Sequence, residues 1–253
     1  MTINTYMIET PRLRRFSIST HRDDRSVQPV IARGVYEPHV QLLLETYCVG
    51  KKHILDIGCN YGQHTVLMSA LNPLAEITAI EASPENIEVL EHNLKSNGAT
   101  NVKVIKAFLA EEDGKTMDYF YETSNAGCAF GCETDYGRHN HPNIERKVKT
   151  SALGSFISTP VDFIKMDIEG SELAAIEGGV DVFRQCDFLL IELNKFTSEK
   201  FYGDPIDVLI DKIQSLGFEK GIYHGRRGFH EVSIPTIKQV MQQNVLCEVL
   251  FRK

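Results

Sequence analysis

Residues 53–84 read HILDIGCNYGQHTVLMSALNPLAEITAIEASP, and the fold follows from how this stretch breaks into pieces. The run 53–57 is apolar, rich in branched residues and too short for a helix, so a buried strand is expected. Asp56 sits near its end, and a loop follows with glycines at Gly58 and Gly62. From Gln63 the apolar residues Val66, Leu67, Ala70 and Leu71 recur at helical spacing until Asn72-Pro73 stops them. A second short strand, 77–80, ends on Glu81. Strand, glycine loop, helix, strand and terminal carboxylate form the layout of a nucleotide-type site at the carboxyl end of a parallel sheet.

Each residue type has a physical reason. Glycine reaches backbone angles closed to other residues and lets a ligand approach the main chain. A carboxylate ending the second strand can accept both hydroxyls of a ribose. The spacing is not the dinucleotide fingerprint: Cys59-Asn60-Tyr61 separates the two glycines and no third glycine opens the helix, so a dehydrogenase fits poorly. No Gly-Lys-Ser/Thr follows, which excludes a P-loop. Asp56 would put negative charge where a pyrophosphate should lie, which favours a cationic or zwitterionic ligand. S-adenosylmethionine, with its ribose, ammonium group and sulfonium, meets that demand. The competing reading is a βαβ unit whose glycines only make a tight turn.

D-I-G-C-N-Y-G-Q-H-T followed by E-A-S-P resembles the first two motifs of class I S-adenosylmethionine-dependent methyltransferases. Three further stretches resemble the FkbM-type branch: G-V-Y-E-P at 34–38, S-N-A-G-C-A-F-G at 124–131, and V-D-F-I-K-M-D-I-E-G-S-E-L at 161–173. The likeness runs over about residues 34–253. It implies an α/β fold with a doubly wound, mostly parallel seven-stranded sheet that ends in a C-terminal antiparallel hairpin. It implies that 34–38 helps close the cofactor pocket, that 124–131 is a substrate segment, and that Ala107 lies beside the adenine. The cofactor-binding residues it implies are Asp56, Gly58, Cys59, Asn60, Gly62, Glu81, Ala82, Ser83, Ala107 and Asp167.

The composition is that of an ordinary soluble globular chain, 253 residues with 42% apolar and 24% charged, long enough for one α/β domain with additions. A net charge of −7 argues against a broad nucleic-acid surface. The six cysteines, Cys48, Cys59, Cys128, Cys132, Cys186 and Cys247, show no framework spacing, so reduced thiols in a cytoplasmic protein are expected. No apolar run approaches the length of a membrane span and no signal-peptide core opens the chain. Residues 1–36 read as an arm or lid, basic on one face, and 37–253 as a single methyltransferase domain. A substrate-side loop is expected at about 122–147, longer than idle loops usually are. Cys128, Cys132, His139 and His141 there suggest zinc, but the H-x-H spacing is tight for a structural site and no metal is assigned.

Later segments read as a strand at 161–166, a helix from Ser171 closed by Gly178-Gly179, a strand at 188–193 and a helix from Pro205. Two closing strands, 218–223 and 245–251, flank a polar turn holding His224, Arg226, Arg227 and His230. Methyl transfer needs the acceptor held close and aligned, and a hydroxyl acceptor also needs a base. Asp167 and Glu169 are the catalytic candidates; Glu192 and Asn194 end the next strand, and the two histidines read as surface groups. Asp167, Glu192 and Asn194 together could hold Mg2+ and a diol. The expected reaction is O-methylation of a small metabolite or sugar, without nucleic acid or membrane span and with a homo-oligomer open. N-methylation of a protein or RNA is the alternative, though the Asn-Pro-Pro-Tyr type signature of amino-group methylation is absent. A non-catalytic cofactor-binding module is another.

Overall fold

The computed structural model describes residues 2–132, 134 and 145–253. The chain divides into two compact units, Met1–Lys106 with Tyr121–Ala129, and Ala107–Phe120 with Phe130–Lys253.

The first unit opens on a hairpin, β1 (Ile3–Glu9) antiparallel to β2 (Arg15–His21), with Ile3 opposite His21 and Glu9 opposite Arg15. Alternation explains it: Phe16, Ile18 and Thr20 turn inward while Arg12, Arg14 and Arg15 stay exposed at the turn end. Next come α1 (Gln28–Ile31) and α2 (Pro38–Leu43), the latter continued by a π-helical turn over Leu44–Cys48. Pro38 occupies the first helical turn, where its missing N–H costs nothing. Then the predicted βαβ unit appears: β3 (His53–Ile57), α3 (Gln63–Leu71) and β4 (Glu76–Glu81), followed by α4 (Pro84–Ser96) and β5 (Val102–Lys106). The strands β3, β4 and β5 are parallel neighbours in that order, Asp56 opposite Ala79 and Glu81 opposite Lys106. Ser83 caps α4 by accepting the N–H of Asn86, as Ser-Pro-Glu suggests.

Asn93 of α4, fully buried, ties the hairpin down. Its Oδ1 accepts the Ser19 N–H at 2.8 Å, and its Nδ2 donates to the carbonyls of Ser19 at 2.9 Å and of Tyr61 at 2.8 Å. One side chain thus joins β2, α4 and the glycine loop.

The second unit begins with β6 (Phe108–Leu109), β7 (Thr116–Phe120), β8 (Phe130–Cys132) and β9 (Glu145–Ser151), which form a four-stranded sheet in the order β6-β9-β7-β8. The 122–147 stretch, read as loop, therefore supplies β8 and the start of β9. It also holds a 3-10 turn over Thr123–Cys128, which belongs to the first unit. The candidate zinc set lies outside the described residues in His139 and His141, and likewise in the side chains of Cys128 and Cys132.

The main sheet of this unit has β10 (Phe163–Met166) parallel to β11 (Phe188–Asn194), with α5 (Glu172–Glu177) and α6 (Val180–Gln185) between them. After β11 come α7 (Lys195–Thr197), a π-helical turn over Ser198–Tyr202 and α8 (Ile206–Ser215). The chain ends with β12 (Lys220–Gly225), β13 (Gly228–Ser233), α9 (Ile234–Gln243) and β14 (Leu246–Arg252). β14 runs antiparallel to both β11 and β12, and β13 pairs antiparallel with β12.

The fold class is the expected one, mixed α/β with a large, mostly parallel sheet and an antiparallel end. The antiparallel end holds three strands, β12, β13 and β14, where the two of a hairpin were expected. The additional one is β13, which the sequence reading took for a polar turn. Its side chains are half-buried or exposed, as suits an edge strand, so no apolar alternation announces it. His224 and His230 accordingly lie on paired strands, with only Arg226 and Arg227 in the turn.

Candidate functional site

In the first unit the site is built by the loop between β3 and α3 and by the end of β4. The loop folds back on β4, with the Gly58 and Cys59 N–H groups donating to the Ile80 carbonyl at 2.9 and 3.2 Å. Gly58, Asn60 and Gly62 all have positive φ. Gly62 allows no side chain, because at φ +83° an added Cβ would run into Leu90 Cδ1. The Asn60 N–H donates to Glu81 Oε2 at 3.0 Å, and the Ser83 N–H donates to Glu81 Oε1 at 2.8 Å. Glu81 is 6% exposed, and burial pushes its carboxyl above the ordinary range, against the backbone donors that favour the charged form. Each Glu81 oxygen keeps a lone pair for a further donor.

Asp56, 1% exposed, accepts the Thr65 hydroxyl at 2.6 Å on Oδ2. Asn60 Nδ2 donates to the Ala126 carbonyl at 3.4 Å, while its buried Oδ1 has no hydrogen-bond partner among the described residues. Asp56, Gly58, Cys59, Asn60, Gly62, Glu81, Ala82 and Ser83 are thus one constellation. The 34–38 segment meets it at the first turn of α3: Glu37 Oε2 lies 3.6 Å from His64 Nε2, and the Tyr36 ring lies 5.4 Å from that imidazole. Cys48, Cys59, Cys186 and Cys247 are buried and form no disulfide, and burial pushes the pKa of Cys48, Cys186 and Cys247 up to about 12. Those three are poor nucleophiles.

In the second unit the carboxylates of Asp167, Glu169 and Glu192 each bring an oxygen within 4.8 Å of the others. Asp167 lies 3.6 Å from the Lys165 ammonium. Glu169 has φ +55°, a conformation uncommon for a residue with a side chain. The loop that carries it is pressed against the segment after β11, since a Cβ on Gly170 would lie 2.8 Å from the Thr197 carbonyl carbon. Glu172, 1% exposed, holds the loop from within by accepting the N–H groups of Ile168 at 3.1 Å and Gly170 at 3.3 Å. Burial pushes its carboxyl up to about 7.

Glu192 is raised well above the ordinary carboxylate range, first by burial and then by the charges of Asp167 and Glu169. Three carboxylates this close do not all ionise cheaply. Asn194 stands beside the cluster, its Nδ2 donating to Glu192 Oε2 at 3.4 Å while its Oδ1 accepts the Thr197 N–H at 3.3 Å. Ala107, the first residue of this unit, is buried.

Sequence reading passed over Glu172, one more acid in an acid-rich loop, and gave Glu192, near the end of β11, no leading role. It missed Gln41 altogether, although a glutamine inside the run Val40-Gln41-Leu42-Leu43-Leu44 is a polar residue in an apolar stripe. The structure buries it completely.

Comparison with known proteins fits these features. A curated relative named "Putative methyltransferase", from Jannaschia sp. (strain CCS1), is 26% identical over 146 residues, 51% of this chain and 50% of its own length. The ribosomal protein L11 methyltransferase of Acetivibrio thermocellus is 30% identical over 77 residues, 30% of this chain and 24% of its own. The crystal structure of methyltransferase FkbM from Methylobacillus flagellatus KT superposes with a TM-score of 0.51 at 17% identity, over 91% of this chain and 48% of that one. The chain therefore spans half or less of each of these proteins, and the last likeness bears on the fold alone. The family model for the methyltransferase FkbM domain matches residues 56–220, from the acid of β3 to the start of β12, and the chain belongs to that family.

Proposed function

We propose that this chain is an S-adenosylmethionine-dependent methyltransferase that methylates a hydroxyl of a small-molecule acceptor such as a sugar. The observation that carries the cofactor is Glu81: a buried carboxylate at a strand end, fixed by two backbone N–H groups beside a glycine loop, with a lone pair left on each oxygen. The other residues fit as well. Asp56 offers negative charge to a cationic ligand, and Asn60 Oδ1, without a partner among the described residues, offers a buried acceptor. When bound, the cofactor supplies an electrophilic methyl group on a sulfonium.

This chain's residues then have two tasks. Glu81 and the loop from Gly58 to Gly62 orient the donor, and the acceptor's proton must go to a base. The carboxylates of Asp167, Glu169 and Glu192 are the bases offered. Of these, Glu192 is supported as the base, because a carboxyl held well above its usual range by burial and by its neighbours' charges is a stronger base. A hydroxyl acceptor suits such a cluster, whereas amino-group transfer draws on polar groups that orient an uncharged amine.

The test is transfer of a labelled methyl group to panels of hydroxylated and amino acceptors. Transfer to an alcohol, lost in Glu192→Gln, is expected. Transfer confined to amines would move the reading to N-methylation, and a bound cofactor without turnover on any acceptor would make the chain a binding module.

A further inference from the structure

Residues 22–27 and 124–127, far apart in sequence, are tied together within the first unit. The Arg25 N–H donates to the Ser124 carbonyl at 2.8 Å, and the Gly127 N–H donates to Ser26 Oγ at 2.9 Å. Ser26 is itself set by Asp24, 1% exposed, whose Oδ1 accepts the Ser26 hydroxyl and the Ser26 N–H, both at 2.8 Å. A hydroxyl that donates to a carboxylate keeps its lone pairs for another donor, so Asp24 turns Ser26 Oγ into the acceptor that Gly127 meets. The fit is close: a Cβ on Gly127 would lie 3.2 Å from both Ser26 Oγ and Val27 Cγ2. Next to Gly127, the buried Ala126 gives its carbonyl to Asn60 Nδ2 at 3.4 Å. A carbonyl only accepts, so it fixes how the Asn60 carboxamide is turned, NH2 toward Ala126 and Oδ1 away from it.

We infer that Ser26 is a positioning residue for the ligand-binding loop: through the main chain of Gly127 and Ala126 it sets the carboxamide of Asn60. The inference rests on the cofactor reading given above. Asn60 also donates its N–H to Glu81 Oε2 at 3.0 Å, so the residue that the 22–27 strap steadies is the one that braces the buried carboxylate at the end of β4. Its Oδ1, buried and without a partner among the described residues, is the acceptor that this orientation leaves for a ligand. Ser26 thus acts on the site at one remove, with Asp24 behind it. A ligand held at Glu81 and a closed strap then stabilise each other. By linkage the ligand protects the strap by the same factor that the strap strengthens the ligand.

The experiment measures the dissociation rate of S-adenosylhomocysteine and the hydrogen-exchange rate of the Gly127 amide, with thermal melting alongside. In wild type, saturating S-adenosylhomocysteine should slow exchange at Gly127. Ser26→Ala removes the acceptor and should raise the dissociation rate about fivefold, the loss of one hydrogen bond, while reducing the ligand's protection of Gly127 by a similar factor. Ser26→Thr keeps a hydroxyl in place and should return both readouts to within about twofold of wild type. A merely structural role would lower the melting temperature of Ser26→Ala and leave the dissociation rate unchanged. That result, or a folded Ser26→Thr that behaves like Ser26→Ala, would overturn the inference and leave the cofactor reading standing. Gly127→Ala crowds Ser26 from the other side and carries the test if Ser26→Ala does not fold. It should quicken dissociation in the same way, and an unchanged rate would overturn the inference. Failure of wild type to bind S-adenosylhomocysteine would overturn both.

Discussion

The main-chain N–H of Asn60 donates to Glu81 Oε2 at 3.0 Å, so the strained tip of the glycine loop and the carboxylate that ends β4 are set by one hydrogen bond. Asn60 has φ +50°, a backbone state that a side-chain-bearing residue holds only where its surroundings fix it. The Glu81 carboxylate is such a surrounding. It shapes the loop even without a ligand.

Glu81→Gln therefore has two expected effects. The carboxamide presents an NH2 group to one of the two backbone N–H donors, leaving a buried donor unpaired at a cost of about 1–3 kcal/mol. Melting temperature should fall together with affinity for adenosine ligands. A variant with wild-type stability and affinity would show that the carboxylate has neither role.

Gly62→Ala should destabilise the chain by about 2 kcal/mol or more, since φ +83° and the Leu90 side chain both oppose a Cβ. Denaturant unfolding measures this directly. An unchanged midpoint would mean that the loop relaxes into another shape.

Asn93→Ala removes the partner of two carbonyls and one N–H, all in the buried joint between β2, α4 and the loop. A loss of about 3 kcal/mol is expected, as for a broken buried network. Hydrogen exchange should show β2 amides opening before those of β4. Uniform loss of protection across both strands would contradict the idea of a separately anchored hairpin.

Glu192 sets a pH dependence whose sign can be worked out. Its folded pKa lies above its unfolded value, so between the two the native state binds more protons. Its contribution to stability is therefore greatest at the acid side of that window and declines as pH rises through the raised pKa. Glu192→Gln should remove that decline, with the wild-type difference isolating it from the similarly raised Glu172 and Glu81. Turnover should rise over the same window as the base loses its proton, and this limb should vanish in the variant. A turnover profile with its acid limb at the ordinary carboxylate range would count against Glu192 as base. Dialysis against EDTA distinguishes a proton from a divalent cation in the cluster. Unchanged turnover fits the proton, and a loss restored by Mg2+ would move the carboxylates to a metal-assisted mechanism.

The legible parts of this chain were those where side-chain period and backbone demand coincide. Ile54, Leu55 and Ile57 sit in a run too short for a helix, Gly58 and Gly62 mark positive φ, and Glu81 ends an apolar strand; all are visible in one dimension. The strand Gly228–Ser233 was not, because it pairs on the outer side of β12 and buries no face completely. The helix Val180–Gln185 is little more than one turn, too short for a period to show. For the site, Asp167 and Glu169 stand out in sequence, but their closeness to Glu192 depends on β10 and β11 pairing side by side. Gln41 is hidden for a different reason: whether a polar residue in an apolar helix faces water or the interior is decided by packing alone.

The most direct test of the central claim is calorimetric titration of wild type and Glu81→Ala with S-adenosylmethionine, S-adenosylhomocysteine and NAD. Binding of the first two by wild type, lost in the variant, with none of NAD, is the predicted result. No binding of either adenosyl ligand, or tighter binding of NAD, would contradict it.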